Sequence, residues 1–337
     1  MKKKIQFILY IAIAWLLTAC SQDTSMEQES PFAQEPNLPD APVQMAGLSR
    51  SSSLGDTDYG DIRVLLHHDG TTTQGVFKYD NGGEWTTQLK LKSGSRTYRL
   101  YGYMPDNSSL SGSITSVTDD AADLRIQGLS PITAQDFCVI TGVREVNNTS
   151  DTRSAIRGNF SFNYTSSRQN YLNLLFDHLY GRIVFRMKVN ADYHDVRTIK
   201  VKSMRLQLPS VSQTKADVTL TNEVGLGNAS YTITGTDETV LDIRTTEQTL
   251  STTSVEMASA YLIPVADVWS NLVLVTEYDL YDKMGNKVAE RTATNKLATA
   301  LTDLLAGEQR TLSITVEPSY LYILSDSDLN NPTLVLN

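Results

Sequence analysis

Cysteine is nearly absent: 337 residues hold only Cys20 and Cys138. Cys138 sits in the apolar run Asp136-Phe137-Cys138-Val139-Ile140, where a buried, inert thiol is the ordinary role, and no disulfide is expected. Four histidines (His67, His68, His178, His194) fall at no metal-ligand spacing, so neither a metal nor a cofactor is expected. Basic runs are missing after Lys4. With 29 Lys+Arg against 38 Asp+Glu and a formal net charge of -9, the chain lacks the electrostatic footprint of a nucleic-acid binder. There is no nucleophile elbow, no Gly-rich phosphate loop and no evident pair of catalytic carboxylates, so no catalytic residue is assigned and no enzyme is expected. Two imitations are set aside. Ser212-Gln213-Thr214-Lys215 fits a Ser-x-x-Lys pattern but reads as a strand-flanking turn. Asp326-x-Asp328-x-Asn330 opens like a calcium loop, yet the Gly and closing Glu are missing, which leaves an Asx turn.

What is present is the composition of a folded β protein. Hydrophobic residues make up 40% and charged residues 20%, enough for a real core, and the length suggests two domains. Thr, Ser, Tyr and Val are abundant, and Gly- or Asn-containing turns recur at short intervals. That is an all-β pattern. Ahead of it stands a leader. Lys2, Lys3 and Lys4 form a positive start, an apolar stretch over 5–16 is too short for a permanent span, and Leu17-Thr18-Ala19-Cys20 reads as a lipobox in which Cys20 takes a lipid. The lipid anchors a chain to a membrane without spanning it. Residues 21–40, rich in Ser, Gln, Glu, Asp and Pro, read as a tether with too little apolar surface to fold.

The stretch 41–50 organises the rest. Val43, Met45 and Gly47 alternate with Gln44, Ala46 and Leu48, a two-residue period suited to a short strand, and Arg50 is followed at once by Ser51-Ser52-Ser53. Two readings stand open: an edge strand leading into a flexible linker, or a strand built to be removed by a cut after Arg50. Strands follow over 61–66, 75–79, 85–92, 96–105 and 136–143, with Asp80-Asn81-Gly82-Gly83 as a hairpin turn. A polar stretch ends in a candidate domain boundary at 165–170. In the second half, Ile199 and Val201 share one face while Met204, Leu206 and Leu208 fall on the other, which a bulge near Lys202-Ser203 reconciles. Leu297, Ala300, Leu301, Leu304 and Leu305 follow helical spacing, with Asn295 as the cap and Gly307 as the stop. Leu312, Ile314 and Val316 then supply a closing strand. The tail beyond it carries Tyr320, Tyr322 and Leu324, then Leu334 and Leu336. It is a strand-forming edge that either seeks a partner or folds back on its own sheet.

In this order along the chain, the motifs resemble the fimbrillins, major-pilin type subunits of the type V pili of Bacteroidales. The resemblance covers nearly the whole chain. It rests on the lipobox ending at Cys20, the trypsin-like site after Arg50, Tyr101-Gly102-Tyr103-Met104-Pro105, the segment from Phe176-Asp177-His178-Leu179 to Phe185, the close through Gly307 to Val316-Glu317-Pro318, and the tail from Tyr320. It implies an all-β chain of two tandem Greek-key-like β-sandwich domains with one short helix near the C-terminus. The expected organisation is a signal peptide (1–20), a tether plus removable first strand (21–50), an N-terminal domain (51–168), a C-terminal domain (169–318) and a donor-strand appendage (319–337). It further implies an outer-membrane lipoprotein precursor lipidated at Cys20 and cut between Arg50 and Ser51 by an Arg-specific protease. Val43, Met45 and Leu48 leave with the first strand. The vacated groove then takes a neighbour's donor strand bearing Tyr320, Tyr322, Leu324, Leu334 and Leu336. The partners implied are copies of the chain and other pilus subunits, in an extracellular fimbrium serving adhesion to a host or bacterial surface. Arg50 and the long tail together point to a stalk subunit. An anchor or tip subunit of the same pilus is an alternative. So is a monomeric surface lipoprotein binding glycan or host protein, for which Trp85, Trp269 or Tyr278 would serve as aromatic platforms.

Overall fold

A computed structural model describes residues 40–42, 44–50, 60–79, 85–106, 111–115, 123–133, 136–146, 157–165, 171–208, 216–221, 228–234, 239–264, 271–298, 300–301, 303–318 and 333–336. In chain order the first half contains β1 (Asp40–Pro42), β2 (Gln44–Arg50), β3 (Ile62–His68), β4 (Thr71–Tyr79), β5 (Trp85–Thr87), β6 (Lys90–Lys92), β7 (Arg96–Met104), β8 (Ser111–Thr115), β9 (Asp123–Leu129), β10 (Cys138–Val146), β11 (Ser161–Tyr164) and β12 (Tyr171–His178). The second half contains β13 (Gly181–Val189), the helix α1 (Ala191–Val196), β14 (Thr198–Leu208), β15 (Ala216–Thr221), β16 (Asn228–Ile233), β17 (Thr239–Arg244), β18 (Gln248–Thr249), β19 (Val255–Leu262), β20 (Val273–Tyr281), β21 (Lys287–Lys296), β22 (Gln309–Glu317) and β23 (Thr333–Leu336). The all-β expectation holds.

The N-terminal body is an eight-stranded sheet in the order β2-β12-β10-β7-β3-β4-β5, with β11 also on β7. Side chains alternate between its faces. On β3, Ile62, Val64 and Leu66 pack into one core while Leu65 packs into another; on β10, Ile140 and Val139 divide the same way. Backbones crowd at Gly102 of the Tyr101-Gly102-Tyr103 motif, where a Cβ would stand 2.3 Å from the carbonyl oxygen of Arg63. Only glycine lets β7 lie against β3 there.

The C-terminal body is a sandwich. Sheet β19-β13-β22-β23 faces sheet β17-β14-β20-β21, with β18 added to β14, and Phe185, Met187, Leu206, Leu274 and Ile314 meet in the core between them. The bulge expected in β14 is present. The register against β20 shifts between Val201 and Ser203, so Ile199 and Val201 are buried together with Met204, Leu206 and Leu208.

The helix is elsewhere than expected. Near Leu297 the described residues close a single turn, in which the Leu301 N–H donates to the Leu297 carbonyl at 2.8 Å. Asn295 is no cap but a residue of β21 opposite Leu274. Leu297, Leu301 and Leu304 are buried in the sandwich core while Leu305 is 64% exposed. A segment this short gains little from helix propagation, so packing decides. Among the described residues the α-helix is α1, which follows β13. The Asn190 side-chain oxygen accepts from the N–H groups of Asp192 (3.0 Å) and Tyr193 (3.3 Å), and Tyr193 is buried.

The two halves join differently from the expected boundary at 165–170. β12 still belongs to the first sheet, and the chain crosses into the sandwich at Leu179 and Tyr180, between β12 and β13. β15 then returns to pair with β9, and β16 adds to β15, in the sheet β16-β15-β9-β8. Leu124, Ile126, Ala216 and Val218 cover the second face of the N-terminal sheet, against Tyr101, Tyr103 and Val139.

Asp217 pins this return. Its carboxylate accepts from the Arg125 guanidinium at 2.8 Å, from the Gln127 amide at 3.3 Å and from the Gly128 N–H at 3.3 Å. Burial pushes this carboxyl up, but the three donors together hold it below its ordinary 3.8. A lowered carboxyl contributes stability that is complete above the unfolded-state value and is lost as pH falls through the lower folded-state value. Asp217→Asn is therefore expected to destabilise the chain by about 1–3 kcal/mol at neutral pH. The gap from the parent should close below about pH 3.8. Equal urea midpoints at pH 7 would show that the pin contributes nothing.

Candidate assembly interface

The leader segment lies in a seam. β2 is the first strand of the N-terminal sheet and pairs in parallel with β12, from Gln44 opposite Tyr171 to Arg50 opposite Phe176. It also runs close to β5, at the other edge of the same sheet. β1 pairs with β6, Asp40 to Lys92 and Pro42 to Lys90. β1 and β2 thus run where the two edges of one curled sheet approach each other.

An irregularity in β2 bears on which residues leave with it. A strict two-residue period separates Met45 and Leu48 onto opposite faces. The register shifts, however, between Leu172 and Asn173, where β2 steps from Met45 to Gly47. Met45 then stands opposite Leu172, and Leu48 opposite Leu174. On β12, Leu172, Leu174 and Phe176 are fully buried in the N-terminal core. Without β2, the edge of β12 loses its parallel partner. Recovering a large side chain from water is worth about 1.5–3 kcal/mol, and each ladder hydrogen bond a further ~0.5–1.5 kcal/mol. A bare edge of this kind accepts an added strand.

Arg50, the residue before the expected cut, is the last described residue of β2. Cys20, Val43 and Ser51 lie outside the described residues, as do Tyr320, Tyr322 and Leu324. Leu334 and Leu336 belong to β23, which pairs antiparallel with β22, Leu336 opposite Ile314 and Leu334 opposite Val316. Leu334 is buried in the sandwich core, and the Asn295 side-chain amide donates to its carbonyl at 3.1 Å. In the single chain the tail therefore closes an edge of its own C-terminal sheet. The structure does not bring β2 and β23 together; they edge different sheets. Of the aromatic platforms, Trp85 and Tyr278 are buried, and Trp269 lies outside the described residues. The first two present no exposed ring to a ligand.

No protein-family model and no curated protein sequence matches the chain. Solved structures do. A fimbrial protein from Bacteroides vulgatus ATCC 8482 superposes over 87% of this chain and 98% of its own, with a TM-score of 0.51 at 13% identity. The chain has the fold of a Bacteroides fimbrial protein. A candidate cell adhesion protein from Bacteroides uniformis ATCC 8492 matches over 90% of this chain and 98% of its own, at a TM-score of 0.46 and 12% identity. The fimbrial anchor protein Mfa2 of Porphyromonas gingivalis matches over 86% and 93%, at a TM-score of 0.32 and 11% identity. These last two likenesses are too loose to bear on the architecture. At 13% identity the first is a likeness of fold, spanning both the N-terminal sheet and the sandwich.

Proposed function

We propose that this chain is a structural subunit of a cell-surface fimbria, a stalk pilin serving adhesion. It is exported as a lipoprotein through Cys20, activated by cleavage after Arg50 and polymerised by donor-strand exchange with copies of itself or other pilus subunits. The observation that carries this reading is the seam: the leader runs where two sheet edges approach each other and ends at the only basic residue between Cys20 and Arg63. The fold shared with a Bacteroides fimbrial protein supports it. Cleavage converts a satisfied edge into an acceptor, and the tail of another subunit supplies the strand. The expected domain limits of 51–168 and 169–318 move in this reading to a junction at Leu179, with the sheet made by β15 and β9 stiffening the subunit along its length.

The acceptor can be tested with the leader itself. A synthetic peptide of residues 40–50, added in excess to chain cleaved after Arg50, should occupy the seam and suppress polymer ladders. Undiminished ladders would place the acceptor elsewhere.

One observation favours a second reading. Leu334 is buried in the chain's own sandwich, which suits a monomeric surface lipoprotein whose tail is part of its own fold. In either reading Cys20→Ala should remove the chain from the membrane fraction without changing its far-ultraviolet circular dichroism. An unchanged membrane fraction would contradict lipidation at Cys20.

A further inference from the structure

Asp136, Cys138 and His178 are far apart in sequence from any recognisable metal motif, but strand pairing brings them together. Cys138 and His178 are Cα partners across the antiparallel β10–β12 pair, so their side chains stand next to each other on one face. Asp136, two residues before Cys138, belongs to the same face by strand alternation. The Cys138 Sγ lies 3.4 Å from His178 Nδ1 and 3.6 Å from Asp136 Oδ2, and His178 Nδ1 contacts Asp136 Oδ2 directly. All three ligand atoms fall within 4.8 Å of one another. Asp136 Oδ1 accepts the Phe137 N–H at 2.7 Å, which turns Oδ2 towards the other two. The Nε2 of His178 points away without a hydrogen-bond partner among the described residues, so the polar contacts of this ring are with Asp136 and Cys138.

The cluster is sealed. Asp136 is 4%, Cys138 1% and His178 3% exposed. A carboxylate buried to this degree is costly unless its charge is balanced, and among the described residues its ion-pair partner is the His178 ring. A divalent cation bound by one thiolate, one carboxylate and one neutral imidazole leaves a site of zero net charge. Sulfur at about 2.3 Å and nitrogen at about 2.0 Å from a tetrahedral zinc ion stand about 3.5 Å apart, which matches the Cys138–His178 separation. The Asp136 and His178 ligand atoms, in direct contact here, would part to about 3.3 Å around the ion. Thiolate with imidazole selects zinc-like ions over magnesium or calcium. Met104, the Cα partner of Cys138 on β7, is a further soft donor buried in the same core.

We propose that Asp136, Cys138 and His178 form a buried structural site for a zinc-class divalent cation. Such a closed site is filled during folding rather than through an open mouth. It ties β10 to β12 two residues beyond Phe176, the partner of Arg50. On the reading of the seam given above, the ion would hold the lip of the acceptor groove in register once the leader is gone. The binding of the ion itself does not depend on that reading.

The test uses the full-length Cys20→Ser chain, in which Cys138 is the only thiol. It is refolded from urea with zinc and freed of excess ion, and its metal content is measured. A parallel sample is refolded with cobalt and read by its thiolate-to-cobalt charge-transfer absorption. The expected result is about one equivalent of zinc retained, with the cobalt band present. Both should be lost in Cys138→Ser, and both strongly reduced in Asp136→Asn and His178→Gln, each in the same background. Only traces of zinc, no cobalt band, or unchanged binding in a folded variant would overturn the proposal. If the three variants fail to fold, the zinc content and cobalt band of the Cys20→Ser chain decide alone. Polymer formation is not part of the readout, so failure of the metal site and failure of the pilin reading remain distinguishable.

Discussion

Replacing Arg50 with Ala should leave a folded, exported chain that no longer polymerises, with polymer reduced by about three orders of magnitude. The reason is the difference between a tethered strand and a free one. In the uncut chain β2 is part of the same molecule as its groove, and a tethered segment acts at an effective concentration of about millimolar or more. A donor strand from another subunit at about micromolar concentration competes at a disadvantage of about a thousandfold, even with equal contacts. Cutting after Arg50 lets residues 40–50 dissociate, and the edge of β12, with Leu172 and Leu174 behind it, becomes available. Arg50→Lys separates the protease from the strand: an Arg-specific enzyme should spare it, whereas trypsin should cut it and restore assembly. Heat-resistant ladders from uncut Arg50→Ala chains would show that the leader does not guard the acceptor.

Removing residues 319–337, or introducing Leu334→Asp with Leu336→Asp, should likewise abolish polymerisation, through loss of the donor. β23 covers the edge of β22, and Leu334 fills part of the sandwich core. Losing that side chain should cost about 2–5 kcal/mol of stability in the C-terminal body. The remaining core, which includes Phe185, Met187 and Ile314, should still fold. The two kinds of variant can be set against each other. A chain with Arg50→Ala donates but does not accept; a cleaved chain lacking 319–337 accepts but does not donate. Mixed, they should form heterodimers and nothing longer. If instead the truncated chain unfolds, the tail belongs to its own domain, and the monomeric surface-lipoprotein reading takes precedence.

Much of this architecture is written in local pattern. The alternation of Ile62, Val64 and Leu66 against Leu65 places β3 between two cores, and the break in period after Val201 announces the bulge in β14. The irregularity in β2 is less visible, because it lies in the register against β12, which shifts between Leu172 and Asn173. Two features escape local reading altogether. The pairing of β15 with β9 joins segments about ninety residues apart, as the Asp217–Arg125 contact does, and no period within either strand names its partner. Cys138 and His178 are 40 residues apart, and only strand register makes them neighbours. The leucines from Leu297 to Leu304 mislead in the opposite direction. Their helical spacing is real, but burial of Leu297, Leu301 and Leu304 in the sandwich core overrides a short segment's weak helical preference.

Removal of the leader before assembly is tested most directly by the N-terminal sequence of the assembled form on the cell surface. Fimbriae sheared from cells should yield subunits beginning at Ser51. Subunits that retain residues 20–50 in assembled fibres would show that assembly does not require removal of the leader.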